Sequence, residues 1–250
     1  MIEVRNLHKS FETQQVLTDI SCTFRPGCNN MIIGRSGSGK TVLMKCLIGL
    51  YRPDAGEILF DGRDVMSMTR DEVRHMREEI GVLFQGAALF DSMTVADNVA
   101  FPLRMFSNMT TREQARRVRF CLDRVNIKDS DRKYPSQLSG GMQKRVAIAR
   151  AIALNPRYLF CDEPNSGLDP QTSIIIDQLI DDITREYGIT TVVNTHDMNS
   201  LIGIGQNIIF LSEGQVAWQG DRDSLLSTDN VALQDFIFAS PIMKKWQMAK

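Results

Sequence analysis

Residues 34–41 read GRSGSGKT, between the apolar run MII and the helix-like run TVLMKCLIGL. The stretch meets the pattern G-x-x-x-x-G-K-[ST] in full, and it lies where a buried strand must turn at once into a helix. That pairing restricts the fold more than any other part of the chain. Gly34, Gly37 and Gly39 allow a main chain with no side-chain bulk to wrap closely around phosphate oxygens. The whole loop, Gly34, Arg35, Ser36, Gly37, Ser38 and Gly39, then presents its N–H groups to the anion. The helix N-terminus adds positive potential. Lys40 can reach the outer phosphates, and Thr41 offers a hydroxyl to Mg²⁺.

The rest of the chain supplies the sheet that such a turn needs. Strand-like runs occur at IEVRNL, QQVLTDISCTF, NNMIIG, the run after YRPDAG, IGVLFQ, RYLFCDEP, TTVVNTH and the hairpin NIIFLSEGQVAWQG. Helical patterns lie between several of them. Thr94 is placed to cap VADNVAFPLRMF, and TREQARRVRFCLDRV carries Ala115, Val118, Leu122 and Val125 on one stripe. Its arginines read as a solvated face. Strand and helix alternating in this way predict a largely parallel sheet covered by helices. The 250 residues carry 29 basic against 30 acidic side chains, so bulk charge does not point to nucleic acid. The five cysteines form no C-x-x-C pair and read as reduced thiols. No run reaches the ~18–20 apolar residues of a membrane span, so any membrane association is expected to come through a partner.

Further residues with chemistry stand at strand ends, where open α/β sheets bind ligands. YLFCDEP places Asp162 and Glu163 there: one acid can orient a Mg²⁺ shell and the other can polarise a water. Gln85 ends VLFQ and His196 ends TTVVNTH. Each is by itself an ordinary strand-end residue; beside a phosphate loop each becomes a candidate. LSGGM at 138–142 is a bare loop aimed along the helix that follows it.

The order GRSGSGKT, Gln85, LSGGM, CDEP, SGLD and His196 resembles the ATP-binding cassette ATPases over nearly the whole chain. The resemblance implies an α/β P-loop NTPase with a RecA-like core, an N-terminal antiparallel β subdomain and an inserted α-helical subdomain at about 86–155. It implies a cassette over 1–228 and a C-terminal helical extension over 229–250. Its cofactors would be ATP and Mg²⁺. In the family two copies pack head to tail, so Ser139, Gly140 and Gly141 would meet the ATP bound by a second copy, and Asp169 would link the two sites. Phe11 would stack on adenine, and Thr41, Gln85 and Asp162 would complete the Mg²⁺ shell. Glu163 would be the general base, with Lys40, Gln85 and His196 assisting.

ALFDSMTVADNVAFPL further resembles the ATPase subunit of Mla-type transporters, which move phospholipid with MCE-domain proteins. That implies an integral-membrane permease as partner, a groove including Leu89, Phe90 and Phe101 to receive it, an MCE-domain lipid-binding protein, and a peripheral place on the cytoplasmic face of the inner membrane. Two alternatives stay open: an importer ATPase for another small solute, and a soluble cassette ATPase of an iron–sulfur assembly.

Overall fold

A computed structural model describes residues 1–225 and 227–239. Two compact units make it up: Met1–Arg25, Asn29–Ser67 and the chain from Asn194 onward in one, Pro26–Cys28 and Met68–Val193 in the other.

The first unit starts with an antiparallel sheet. β1 (Ile2–Phe11) pairs with β2 (Gln14–Phe24) on one side and β4 (Ala55–Phe60) on the other, and β5 (Arg63–Asp64) adds a short edge. Its apolar residues do not alternate strictly: Ile2, Val4 and Leu7 face Phe24, Cys22 and Ile20. Bulges repair the phase. Asn6 and Asp19 take left-handed φ values of 46° and 53°, and the Asn6 amide donates to the Asp19 carboxylate across the pair at 2.8 Å. The register skips there, so Leu7 and Ile20 return to the buried face. Beside this sheet, β3 (Asn29–Ile33) runs parallel to β9 (Asn207–Ser212), which turns at Glu213–Gly214 into antiparallel β10 (Gln215–Gly220). Buried asparagines join the layers. The Asn207 amide donates to Thr23 O at 2.9 Å and to Asn30 Oδ1 at 2.8 Å, while Asn30 donates to Arg25 O. The amides of Asn207 and Asn30 are thereby paired. The unit's helices are α1 (Lys40–Leu47), α7 (Met198–Ile204), α8 (Arg222–Leu225) and α9 (Val231–Ile237). Of the segment expected as a C-terminal extension, residues 240–250 lie outside the described residues.

In the second unit β6 (Ile80–Leu83) pairs in parallel with β7 (Tyr158–Asp162), and β8 (Thr190–Asn194) lies on the other side of β7. The parallel pairs meet the alternation expected from sequence. α2 (Arg70–Glu78) packs on β6 and was not legible as an apolar pattern, because Met76 is its one buried residue. Its signal was instead a capping box, Thr69 with Glu72. α3 (Val95–Phe106), α4 (Thr111–Arg124) and α5 (Gly140–Ala151) pack on one another, and α6 (Pro170–Tyr187) packs against α5. Thr94 caps α3 as expected, accepting from the Asp97 N–H.

Two expectations for α4 need correction. Ala115 is exposed rather than on the buried stripe, which consists of Val118, Cys121 and Leu122 and continues to the buried Val125 at the C-cap. The first turn of α4 stands away from α3, and Ala115 lines a cavity of about 690 Å³ with Ala96 and Ala100. Nor is the arginine face wholly solvated. Arg117 donates to Ala153 O at 2.9 Å and Ile152 O at 2.7 Å, just beyond α5. It satisfies carbonyls that the helix end leaves without partners. Arg124 meets Glu186 on α6.

Asn98, fully buried on α3, holds the preceding loop. Its amide donates to Phe90 O, Met93 O and Thr94 O at 3.1, 3.2 and 3.0 Å, and its carbonyl accepts from the Phe90 N–H at 2.8 Å. Asn98→Ala leaves these groups without their partner. We expect a loss of about 2–4 kcal/mol, read as a lower denaturant midpoint with an unchanged m-value.

Candidate active site

In the first unit, fully buried β3 turns into α1 within Gly34–Gly39. Gly34 has φ 151°, and a Cβ there would stand 2.3 Å from Leu211 O and 2.6 Å from Ser38 Oγ. The turn is therefore closed to any larger residue. Gly39 caps α1 in the left-handed region with no side-chain hydrogen bond. By contrast α2 to α6 each carry a Thr, Ser or Asp cap. The first-turn N–H groups of α1 thus face the loop with no protein side chain upon them, which is the arrangement that binds phosphate. Ser38 Oγ is buried and has no hydrogen-bond partner among the described residues. Lys40 is buried, and its ammonium donates to Gly34 O at 2.9 Å and Arg35 O at 3.0 Å. The cation is thus held across the mouth of the loop. The exposed Thr41 hydroxyl accepts from the Asn194 amide at 3.3 Å. A cavity of about 370 Å³ adjoins the loop, lined by Arg35, Ser36, Gly37 and Ser38 and by Glu213 and Asp235.

His196 is exposed at the start of α7, next to Asp197, which caps that helix by accepting from the Asn199 N–H at 2.8 Å. Phe11 ends β1 at 38% exposure. It meets Tyr51 edge-on with ring centroids 5.1 Å apart, and Lys9 Nζ lies 5.2 Å from its centre. An exposed ring with that support can receive a flat partner.

In the second unit β7 is buried from Tyr158 to Cys161 and brings out Asp162 and Glu163, both half-buried, at its carboxyl end. Burial pushes the Cys161 thiol up to about 12, so it is no nucleophile at neutral pH. Glu163 has φ 47°, a strained conformation for a residue with a side chain. Gln85 follows β6, and its amide donates to Ser166 Oγ at 3.2 Å. Lys144, buried on α5, donates to the main-chain carbonyls of both Gln85 and Glu163. Burial holds its ammonium below its ordinary value.

Ser139 caps α5, its hydroxyl accepting from the Met142 N–H at 3.3 Å, with Ser139 and Gly140 exposed. Gly141 is buried where a Cβ would stand 2.6 Å from Thr172 Cγ2. Asp169 caps α6, accepting from the Gln171 and Thr172 N–H groups and, at 2.5 Å, from the Thr172 hydroxyl. That hydroxyl is the main reason its carboxyl lies below the usual range.

Sequence reasoning missed Asn194, Tyr51, Ser166 and Lys144. For Lys144 a signal existed: it shares a helical stripe with Gly141, Ile148 and Ala151, all buried.

The matched family model is described as "ABC transporter" and covers residues 17–166. The chain is 38% identical over 236 residues to the probable ribonucleotide transport ATP-binding protein mkl of Mycobacterium leprae, covering 94% of this chain and 68% of that protein. It is 40% identical over 229 residues to the methionine import ATP-binding protein MetN of Desulfitobacterium hafniense, covering 90% and 67%. It thus spans about two thirds of the length of these relatives. Among solved structures, a dimeric ATP-binding cassette in a post-hydrolysis state with ADP and Pi superposes with a TM-score of 0.81 at 32% identity, covering 88% of this chain and 98% of that one. The protein cbiO1 of Clostridium perfringens, part of the complex cbiONQ, gives 0.84 at 29% identity, covering 98% of each.

Gly34→Ala should distort the loop against Leu211 and lower affinity for ATP by about 10-fold or more, since backbone approach to phosphate is what the glycine permits. Gly203→Ala, in α7 with nothing within 4 Å of the new Cβ, is the control and should leave affinity unchanged. Isothermal titration of both variants checks this.

Proposed function

Because this chain belongs to the ABC transporter family, whose cassettes bind and hydrolyse ATP, we propose that it drives a membrane transporter through a head-to-tail dimer of two copies around two ATP molecules. The glycine turn carries this reading, through the side-chain-free N-terminus of α1 and the buried Lys40 at its mouth. In the proposal the N–H groups of residues 34–41 hold the β- and γ-phosphates and Lys40 exchanges its carbonyl partners for phosphate oxygens. Phe11 covers adenine. Ser139, Gly140 and Gly141 are offered to the γ-phosphate bound by the second copy, with α5 aiming its positive end the same way. Asp169 joins the two sites.

Thr41, Gln85 and Asp162 are the oxygen donors proposed for Mg²⁺, a hard ion usually shared between protein oxygens and substrate phosphates. The exposed Thr41 hydroxyl fits that demand. When bound, the ion neutralises charge on the phosphate oxygens. Glu163 orients the attacking water and accepts its proton while the γ-phosphoryl group leaves ADP as phosphate. His196 holds the γ-phosphate in line.

The partner in this proposal is an integral-membrane permease, met at Leu89, Phe90 and Phe101. Phe90 is 41% exposed and its ring stands 4.7 Å from that of Phe101. Among the described residues no helix is long and apolar enough to cross a membrane, so the permease would supply the anchor on the cytoplasmic face of the inner membrane. The cargo we propose is phospholipid, handled with an MCE-domain protein, on the strength of ALFDSMTVADNVAFPL. The relatives named for methionine import and ribonucleotide transport favour a second reading, an importer of a small solute.

Glu163→Gln should retain ATP binding, lose turnover by about 100-fold or more, as loss of a general base does, and elute as an ATP-dependent dimer. Turnover above a tenth of wild type would remove Glu163 from that role. Ser139→Arg should spare ATP binding and stop hydrolysis. Affinity capture on tagged Glu163→Gln from detergent-solubilised membranes, with ATP and Mg²⁺, tests the partners. A permease with an MCE-domain protein supports phospholipid; a permease with a solute-binding protein supports the importer; soluble scaffold proteins alone would overturn transport.

A further inference from the structure

The buried ammonium of Lys144 ties together two segments that the proposed reaction needs in register. It lies one turn inside α5 at 5% exposure, on the stripe otherwise formed by Gly141, Ile148 and Ala151. A lysine there has given up water around its charge, at a cost that only close partners offset. Both of its hydrogen-bond partners are main-chain carbonyls: that of Gln85, in a close contact, and that of Glu163 at 3.4 Å. These belong to two residues proposed to act on the phosphate and its water. The link closes into a ring. Gln85 donates through its side chain to Ser166 Oγ at 3.2 Å, and the Ser166 N–H donates at 3.1 Å to the same Glu163 carbonyl that Lys144 holds.

Backbone conformation makes the second carbonyl matter. Glu163 sits at φ 47°, a left-handed region that a residue with a side chain leaves unless its surroundings hold it. Its carbonyl is fixed from two sides, by Lys144 and by Ser166. With Lys144 removed, the peptide after Glu163 can relax, and the carboxylate turns with it. Helix packing alone does not explain a cation here. Arg150, on the same helix, also reaches inward, but its partners are the carbonyls of Ala88 at 2.7 Å and Ala87 at 2.9 Å. It serves the loop and not the acid.

The geometry points to Lys144 as a positioning residue: by clamping the carbonyls of Gln85 and Glu163 to the helix that begins at Ser139, it sets both side chains for ATP hydrolysis. A displacement of α5 is thereby passed to both at once. The assignment rests on the ATPase reading above and adds a residue to it.

The test is steady-state ATP hydrolysis by the full chain, with nucleotide affinity and thermal midpoint measured on the same samples. Wild-type turnover comes first; without it the ATPase reading falls, and this assignment with it. Lys144→Met should lower kcat by about 10-fold or more with KM for ATP within about 3-fold, the signature of a lost positioning contact. Lys144→Arg, which keeps a cation with several N–H donors, should recover most of kcat. Should Lys144→Met not fold, Ser166→Ala opens the same ring from its half-buried side and should lower kcat by several-fold at unchanged affinity. A merely structural lysine would give the opposite pattern: kcat kept in the folded variants, or kcat, affinity and midpoint falling together with no recovery by arginine. Either result overturns the assignment.

Discussion

A buried strand that must become a helix within six residues, with no side chain at the junction, is the constraint on which this molecule turns. β3 is fully buried, so the loop after it starts inside the protein. α1 is capped by Gly39 and not by a serine, threonine or aspartate. Elsewhere such a residue accepts from the first-turn N–H groups, and a helix capped by glycine instead forgoes only a few tenths of a kcal/mol. Here no side chain accepts from them, which leaves them open to the phosphate of the proposed reaction. The bends that keep the loop compact are made by glycines at φ 81° and 99°, and by Gly34, whose missing Cβ leaves space for Leu211 O. The fold and the proposed binding thus draw on the same few atoms.

The surrounding layers secure this turn by ordinary means. Bulges at Asn6 and Asp19 keep the antiparallel sheet in phase with its core, and buried asparagines pair main-chain groups between layers. In the second unit the acid is one of several residues with a left-handed main chain. Glu163 is held at a left-handed φ by hydrogen bonds from Lys144 and Ser166. One unit therefore offers an open anion cradle and the other a carboxylate with a tightly determined main chain.

The sequence is legible where a residue type has few other reasons to occur. GRSGSGKT between two apolar runs leaves little choice of structure. Asp162 and Glu163 were legible because YLFC can only be a buried strand, so the acids had to emerge at its end. The sequence is less legible where the signal is a distance. Ala115 obeys the helical spacing of its neighbours but hangs over a cavity, because the first turn of α4 stands off α3. Arg117 looks like any exposed arginine in a charged run, yet its partners lie 35 and 36 residues away at the end of α5. α2 was overlooked because a helix burying only Met76 has no apolar period.

Periodicity and glycine placement are local properties, and the sequence by itself determined what depends on them: the α/β class, the glycine turn between β3 and α1, the exit of the two acids and the Thr94 cap of α3. Only the tertiary structure decided that Asn194 meets Thr41, that Tyr51 supports Phe11, and that a single lysine holds the main chain at both Gln85 and Glu163. Those contacts join residues far apart along the chain. No spacing encodes them, because a hydrogen bond depends on where two elements have been packed, and packing is a property of the whole fold.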